Sequence, residues 1–461
     1  MARPGTNKVP MTKNNYQLVC GMEVHAELKT KSKMFCGCKN DPFHAPKPNM
    51  YTCPVCLGLP GALPVANKQA IEWTIRLGLA LDCKINLFSK FDRKHYFYPD
   101  LPKGYQISQY DLPFCYDGKI ETELGTVRIH RIHLEEDTGK LLHKKVGDKQ
   151  VSLIDFNRSS VPLIEIVTEP DITTAAHAAA YGKQLRTLLQ YLNISNCDMD
   201  QGGMRLEANV SLRPVGETAL PNYKTEIKNI NSFRFLEQAI DFEIERQSEL
   251  LDKKEIISQE TRGWNSVKQV TYSQRSKEDA EDYRYFPDPD IPPIRFTKEQ
   301  IAELKKTNPP LPKELTDHWM KQFGIPENLA LRAFDKYSKI PNGPTTFNQL
   351  MDTLLTDKSI DPELLTNLLL NKKIAFPDGG NHQKTILDYK EYVSIEKVDQ
   401  SELKTIIDNF LRKHDDIPAK YFSGQKQVVG FVMGQIMRQL PKKSDPAQVR
   451  STIISELENT K

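Results

Sequence analysis

This sequence is short of everything that would place it in a membrane or on a secretory path. No apolar run approaches the ~20 residues that a membrane-spanning helix needs. The N-terminus has no apolar core of the kind a secretory signal carries. Charge of neither sign dominates: 63 Lys and Arg against 60 Asp and Glu leave +3. Any basic surface for a polyanion must therefore be local. Eight cysteines in 461 residues, four of them within 21 positions, make a poor disulfide framework and fit reduced thiols better. The phosphate loop G-x-x-x-x-G-K-[ST], the dinucleotide fingerprint and the G-x-S-x-G elbow of hydrolases are all missing. No repeat of fixed period and no low-complexity tract is present.

What is there is ordinary globular composition, 39% hydrophobic and 27% charged, on a chain long enough for two or three domains. Residues 1–16 are polar and are expected to be a disordered leader. Residues 17–295 read mainly as β-strands with helices between them. Arg205 to Arg213 alternates polar and apolar, the pattern of a half-buried strand. Met204–Arg213 and Tyr223–Lys228 are expected to be antiparallel neighbours, with Lys224, Glu226 and Lys228 on one face. Helical periodicity marks Lys68–Leu81, Ala175–Leu192 and Phe233–Leu251.

Four prolines between Pro287 and Pro293 end this region, because proline continues neither a central strand nor a helix. Helices are then expected at 298–306, 312–322, 326–337, 346–355 and 362–370, with a break near Phe376–Gly380 and three more helices after about Gln400. The resulting division is a β-rich antiparallel cradle at 17–295, an all-helical domain at 296–400 and a small helical tail domain at 401–461, an α+β protein.

The chemistry is carried by acids inside apolar strands. Val161-Pro162-Leu163-Ile164-Glu165-Ile166-Val167 holds a lone Glu in an apolar run. An isolated buried carboxylate costs several kcal/mol unless something pairs with it, and a bound cation is such a partner. In Gly21-Met22-Glu23-Val24-His25-Ala26-Glu27-Leu28, strand alternation puts Glu23, His25 and Glu27 on one face. Glu135 and Glu136 form an acidic pair in His133-Leu134-Glu135-Glu136-Asp137. The expected set is Glu23, His25, Glu136 and Glu165, with Glu207 as a candidate fifth member. Oxygen donors with one imidazole favour Mg²⁺ or Mn²⁺. The competing explanation is that each Glu simply pairs with an arginine.

Cys36 and Cys38, then Cys53 and Cys56 after fourteen intervening residues, present two thiolate pairs on two tight turns. Four Cys ligands with no open position suit a structural Zn²⁺. The run Phe91 to Gln109 interleaves Arg93, Lys94 and Lys103 with the rings of Phe91, His95, Tyr96, Phe97, Tyr98 and Tyr105. Such interleaving suits phosphate contact and base stacking, and equally an aromatic core with snorkelling cations. Asp155-Phe156-Asn157-Arg158 offers Arg158 as a phosphate clamp, and Glu281-Asp282-Tyr283-Arg284-Tyr285-Phe286 closes the region in the same style.

These motifs resemble one family closely. Gly21-Met22-Glu23-Val24-His25, Phe91-Asp92-Arg93-Lys94 through Gln109, His133 to Asp137, Asp155 to Val167 and Asp282 to Pro287 look like the B subunit of the aspartyl/glutamyl-tRNA amidotransferases. The likeness covers about residues 17–295 and returns at Gly424-Gln425-Lys426 and Gly430–Arg438. Asn328 to Val398 does not follow the family's pattern and looks shortened.

The resemblance implies a ligase that corrects tRNA(Gln) carrying Glu or tRNA(Asn) carrying Asp. This chain would use ATP and Mg²⁺ to phosphorylate the side-chain carboxylate, and ammonia would then displace phosphate. The ammonia would come from a separate amidase (glutaminase) subunit, with a small third subunit completing a heterotrimer, in a bacterial-type cytoplasm or an organelle. Carried over by position, Glu23, His25, Glu136 and Glu165 would be the catalytic Mg²⁺ ligands. The cysteines match the zinc knuckle of many members. Arg158, Arg93 and Lys94 are expected at phosphate or tRNA. Lys426, Arg438, Lys442 and Lys443 are candidates for tRNA contact in the tail. Two other classes fit the residues less completely: a non-catalytic zinc-knuckle RNA-binding module and a metal-dependent phosphoesterase.

Overall fold

The structure, a computed structural model, describes residues 15–276, 282–340, 342–354, 357, 359–377, 380–394, 398–440 and 444–459. Nearly all of the expected leader, Glu281, Lys442 and Lys443 lie outside the described residues. The chain forms two compact units, the first ending at Pro312 and the second beginning at Lys313.

The first unit begins with β1 (Tyr16–Glu27), α1 (Lys68–Ala80), β2 (Lys84–Ile85), β3 (Phe88–Ser89), β4 (Asp92–His95) and β5 (Tyr105–Ser108). Then come β6 (Cys115–Thr122), β7 (Gly125–Glu136), β8 (Lys140–Val146), β9 (Lys149–Asp155), β10 (Pro162–Thr168) and α2 (Ala175–Tyr191). It continues through β11 (Met204–Pro214), β12 (Thr225–Ile230), α3 (Phe233–Asp252), β13 (Glu260–Asn265) and β14 (Val270–Ser276). It closes with β15 (Phe286–Pro287), β16 (Ile294–Arg295) and α4 (Lys298–Lys306).

One sheet of nine strands, in the order β14-β13-β12-β11-β1-β10-β7-β6-β2, forms the body. Its neighbours pair antiparallel, as expected, except β12 and β13, which run parallel around the crossover helix α3. The expected pairing of β11 with β12 is present, with Asn209 opposite Glu226.

Strand alternation gives this sheet two different faces. The even positions of β1, from Leu18 to Ala26, join Ile132, Leu134, Ile164, Ile166, Leu206 and Ala208 in one apolar core. Helices α1, α2 and α3 cover that face with Ile75, Leu77, Leu185, Leu189, Leu236 and Ile240. Each helix starts on a side-chain cap, from Asn67, Thr174 and Ser232 respectively. At Gly78 of α1 the helix lies so close to β6 that an added Cβ would stand 2.4 Å from Cys115 Sγ. The odd positions of β1 face the other way and carry Glu23, His25 and Glu27.

Helix α4 does not open the helical domain at 296, as the proline break suggests. It belongs to the first unit, because Ile301 and Leu304 pack against the cradle core and Asn308 brackets Arg76 of α1 with two hydrogen bonds of 2.9 Å. The second unit holds α5 (Pro312–Phe323), α6 (Glu327–Tyr337), α7 (Gly343–Leu354), α8 (Pro362–Leu370) and α9 (His382–Val393). The tail follows as α10 (Gln400–Lys413), α11 (Asp416–Phe422), α12 (Val428–Met437) and α13 (Pro446–Asn459). Sequence periodicity misses α9 and gives three tail helices where four are present among the described residues. Short α11, seven residues, has too few turns for a visible period. Leu403, Ile407, Val432, Ile436, Val449 and Ile453 form the tail core, so the apolar side of α12 is core. Among the described residues no helix is long and apolar enough to cross a membrane.

Candidate active site

The polar face of the nine-stranded sheet is built by register. In β1 and β10 His25 stands opposite Glu165, and in β10 and β7 Glu165 stands opposite His133. In β1 and β11 Glu23 stands opposite Glu207. Directly opposed residues share a face, so four strands deliver these side chains to one surface.

His25, Glu135 and Glu165 offer ligand atoms that all lie within 4.8 Å of one another. His25 Nε2 is 3.3 Å from Glu165 Oε2 and 3.9 Å from Glu135 Oε1. His133 Nε2 lies 3.1 Å from Glu165 Oε2 and 3.6 Å from Glu135 Oε2, fixing both carboxylates from behind. Ser108 of β5 donates to Glu135 Oε2 at 3.0 Å. Burial opposes a charge on His133, but Glu165 and Glu135 outweigh it and hold its pKa up at about 9. Burial likewise opposes ionisation of Glu165, and the two imidazoles hold its carboxyl well below the usual range. Lys94 loses to burial but gains more from Glu135, Tyr285 and Glu165, so its pKa is raised. The site therefore keeps ionised carboxylates in a largely desolvated pocket. Two carboxylates and an imidazole at this spacing fit a Mg²⁺ or Mn²⁺ ion, with His133 and Ser108 orienting the ligands.

Glu23 is not in this triad. It forms a second acidic group with Glu207 and Glu226, also within 4.8 Å, and accepts from Asn209 at 2.8 Å. Burial first, then repulsion from Glu165, Glu207 and Glu226, pushes its pKa up. Lys228 lies 3.1 Å from Glu207 and 3.4 Å from Glu226 and neutralises part of that charge.

Glu136, expected among the ligands, sits on the opposite face of β7. There it ion-pairs with Lys103 and accepts from Ile107 N at 3.0 Å. Its neighbour Glu135 holds the place expected for it. Alternation carries the signal: Ile132 and Leu134 face the core, so His133, Glu135 and Asp137 face away from it. Sequence reasoning also passes over His133, Asp137 and Arg205. Arg205 donates to Asp137 at 2.8 Å. Burial and Asp137 push Glu27 up to about 8, while burial of Asp137 is overcome by Arg205 and Arg158, which hold it at about 2.

The expected phosphate contacts divide. Lys94 feels the charge of Glu135 and Glu165, and its ammonium lies 4.7 Å above the Tyr283 ring. Arg93 is on the other face of β4, tied to Asp288 at 2.8 Å and Asp290 at 2.9 Å and stacked 4.4 Å from Tyr105. Arg158 donates to the carbonyls of Thr138 and Gly139 at 3.1 and 2.9 Å. Both guanidiniums shape the cradle.

Cys36, Cys38, Cys53 and Cys56 converge within 4.8 Å. The Cys53 and Cys56 sulfurs are 3.8 Å apart, the edge of a tetrahedron with zinc–sulfur bonds of ~2.3 Å. A hydrogen bond from Cys36 and the nearby Lys33 ammonium outweigh burial and bring Cys56 down to about 5. Lys33 is fully buried, 3.8 Å from Cys56 Sγ, and also donates to the carbonyls of Tyr51 and Phe156. The four thiols and this counter-charge fit a structural zinc.

Comparison with known proteins makes the class plain: a ligase-type component of a tRNA-dependent amidotransferase. Residues 18–302 match the family model of the GatB/GatE catalytic domain, and 336–457 match that of the GatB domain. The second match covers most of Asn328–Val398, so this stretch, where the sequence alone shows no likeness, lies within the family's domain. The chain is 43% identical to the aspartyl/glutamyl-tRNA(Asn/Gln) amidotransferase B subunit of Thermodesulfovibrio yellowstonii, over 96% of this chain and 99% of that protein. It is 42% identical to the proteins of that name from Caldanaerobacter subterraneus and a Thermoanaerobacter species, with the same coverage. The chain belongs to the B-subunit family of the aspartyl/glutamyl-tRNA amidotransferases.

Proposed function

We propose that this chain phosphorylates the side-chain carboxylate of Glu or Asp esterified to the wrong tRNA, using ATP and Mg²⁺, and then accepts ammonia at that carbon. The observation that carries the reading is the convergence of His25, Glu135 and Glu165 beside Lys94 on a polar sheet face. The names of the relatives supply the tRNA and the amide product.

A carboxylate resists amidation because oxide would have to leave. Attack of its oxygen on the γ-phosphorus of ATP breaks the bond to ADP and leaves an acyl phosphate. Ammonia adds to the acyl carbon, the bond to phosphate breaks, one proton is lost, and the amide remains. A bound Mg²⁺ spreads the charge of the phosphoryl group in flight. His25, Glu135 and Glu165 would hold that ion, and His133 with Ser108 would keep the carboxylates aimed. Lys94 would meet phosphate oxygens from the tyrosine side of the pocket. A separate amidase would be the ammonia source and, with a small third protein, would complete a heterotrimer. The relatives are each named as one subunit of an enzyme, which agrees with such a complex.

The test supplies the assembled complex with Glu-tRNA(Gln) or Asp-tRNA(Asn), ATP, Mg²⁺ and ammonium chloride, which bypasses the glutaminase. Gln-tRNA or Asn-tRNA is expected from wild type and not from Glu165→Ala. Phosphate release without an acyl acceptor would favour the phosphoesterase. Intact tRNA binding with no product from either tRNA would favour the RNA-binding module.

A further inference from the structure

Four tyrosines from three separate segments stand in contact, with the Lys94 ammonium over one of them. Tyr110 stacks on Tyr285 with ring centroids 4.3 Å apart and planes 10° from parallel. Tyr285 meets Tyr283 at 6.2 Å, and Tyr283 meets Tyr96 at 6.0 Å. Such a train is not a core: Tyr110 is 53% exposed, and the other three are partly exposed. A soluble surface rarely spends several large rings on water without a use for them.

The backbone is bent to make this train. Arg284, between two of the rings, sits at φ +40°, a left-handed conformation that a residue with a side chain adopts at a cost. It is held there by hydrogen bonds from Arg284 N to Asp282 at 3.2 Å and from His95 N to the Tyr283 carbonyl at 2.9 Å. The bend leaves Tyr283 and Tyr285 in edge contact with each other and Arg284 exposed. The Lys94 ammonium lies 4.7 Å over the Tyr283 ring and 5.9 Å from the centre of the Tyr96 ring, and β4, which carries it, pairs with β5, whose Ser108 holds Glu135.

We infer that Tyr110, Tyr285, Tyr283 and Tyr96 are a stacking platform for the single-stranded 3′ end of the aminoacyl-tRNA. This inference rests on the function proposed above. Unpaired bases bind by stacking on aromatic faces, with cations alongside for the phosphates. Four rings in series exceed what one nucleotide base covers, and a run of unpaired nucleotides uses them all. Arg284 contacts a phosphate at the outer edge. Lys94 marks the Tyr283–Tyr96 end of the platform, and a chain stacked toward it delivers its terminal aminoacyl group to the triad.

The test places 2-aminopurine at the 3′-terminal position of uncharged tRNA and adds the assembled complex. Stacking is expected to quench the probe on wild type, and Tyr285→Ala or Tyr283→Ala to restore its emission. Both variants should raise the KM for tRNA by roughly tenfold, the loss of about one base stack, and leave the KM for ATP unchanged. Tyr285→Phe keeps the ring and should behave as wild type, which separates stacking from misfolding. Arg284→Ala should lower the salt dependence of binding by about one phosphate contact. An unquenched probe on wild type overturns the inference. So does a raised KM for ATP with tRNA unaffected, which would give the rings to adenine of ATP. Quenching by an enzyme that makes no amide would sink the proposed function and leave the platform standing.

Discussion

Glu135 and Glu136 are neighbours in the chain and point to opposite faces of β7. Glu135 Oε2 takes a hydrogen bond from Ser108 Oγ at 3.0 Å, and Glu136 Oε1 takes one from the Ile107 amide, also at 3.0 Å. Only Glu135 shares its face with His133 and, across the strands, with Glu165 and His25. Removing one ligand from a three-donor site weakens the ion at least as much as removing a group that merely orients a ligand, ~10- to 100-fold. Glu135→Gln is therefore expected to lower Mn²⁺ affinity by at least ~10-fold, measured by electron paramagnetic resonance. Glu136→Gln should leave that affinity at the wild-type level. Equal losses in the two variants would contradict the assignment.

The cysteine cluster predicts about one zinc per chain on metal analysis. Lys33 supplies a buried counter-charge and ties Cys56 to the carbonyls of Tyr51 and Phe156. Lys33→Met leaves two carbonyls and a thiolate unmatched. Zinc should then be released to a chelator faster than from wild type, with stability lower by about 1–3 kcal/mol. Metal-free protein as stable as the purified form would remove zinc from the account.

Much of the fold is legible in the sequence because its periods are clean. The helices α1, α2 and α3 and the strand β11 appear within a residue or two of their expected bounds. Glu165 stands out as one acid in an apolar run, and His25 as one of the alternate residues of β1. What cannot be seen is pairing between distant segments. Arg93 looks like a free phosphate contact until Asp288 and Asp290 come to it. Arg158 looks the same until the carbonyls of Thr138 and Gly139 do. The position of Glu136, expected at the site from the resemblance, is a different case. The alternation of Ile132 and Leu134 already points to Glu135, and the register with β10 makes it plain.

Glu243 of α3 is wholly buried and is surrounded by donors. It accepts from Arg246, Gln247 and Thr271, and Arg262 lies 3.2 Å away. Removing the acid leaves Arg246 and Arg262 with Glu260 as a carboxylate partner, at 3.5 and 2.9 Å, and strips Gln247 and Thr271 of their shared acceptor. Glu243→Ala is expected to destabilise the protein by about 1–3 kcal/mol, seen as an earlier transition in denaturant. A change under ~0.5 kcal/mol, the size of an ordinary surface substitution, would contradict the network.

Asp171 gives a pH test away from the acidic site. Burial works against its ionisation, yet Arg128 grips it at 2.7 and 2.9 Å and the Arg128 amide adds a third bond of 2.9 Å, so its pKa is lowered. A carboxyl depressed in the folded state stabilises above its unfolded pKa, about 3.9. That contribution fades as pH falls through the folded value. Wild type should therefore exceed Asp171→Asn in stability at pH ~6, with the gap closing as pH falls below ~4. A gap independent of pH would mean that the ion pair contributes nothing through titration.

In the function proposed above, the triad serves transfer of phosphate to an acyl carboxylate. The direct measurement is a single turnover of γ-labelled ATP by the assembled complex, with Glu-tRNA(Gln) or Asp-tRNA(Asn) and with ammonia and glutamine left out. The account predicts label on the aminoacyl group as an acyl phosphate that hydroxylamine converts to a hydroxamate, with none formed by Glu135→Gln or Glu165→Gln. Label released as phosphate at the same rate with uncharged tRNA, or a Glu135→Gln variant as active as wild type, would contradict it.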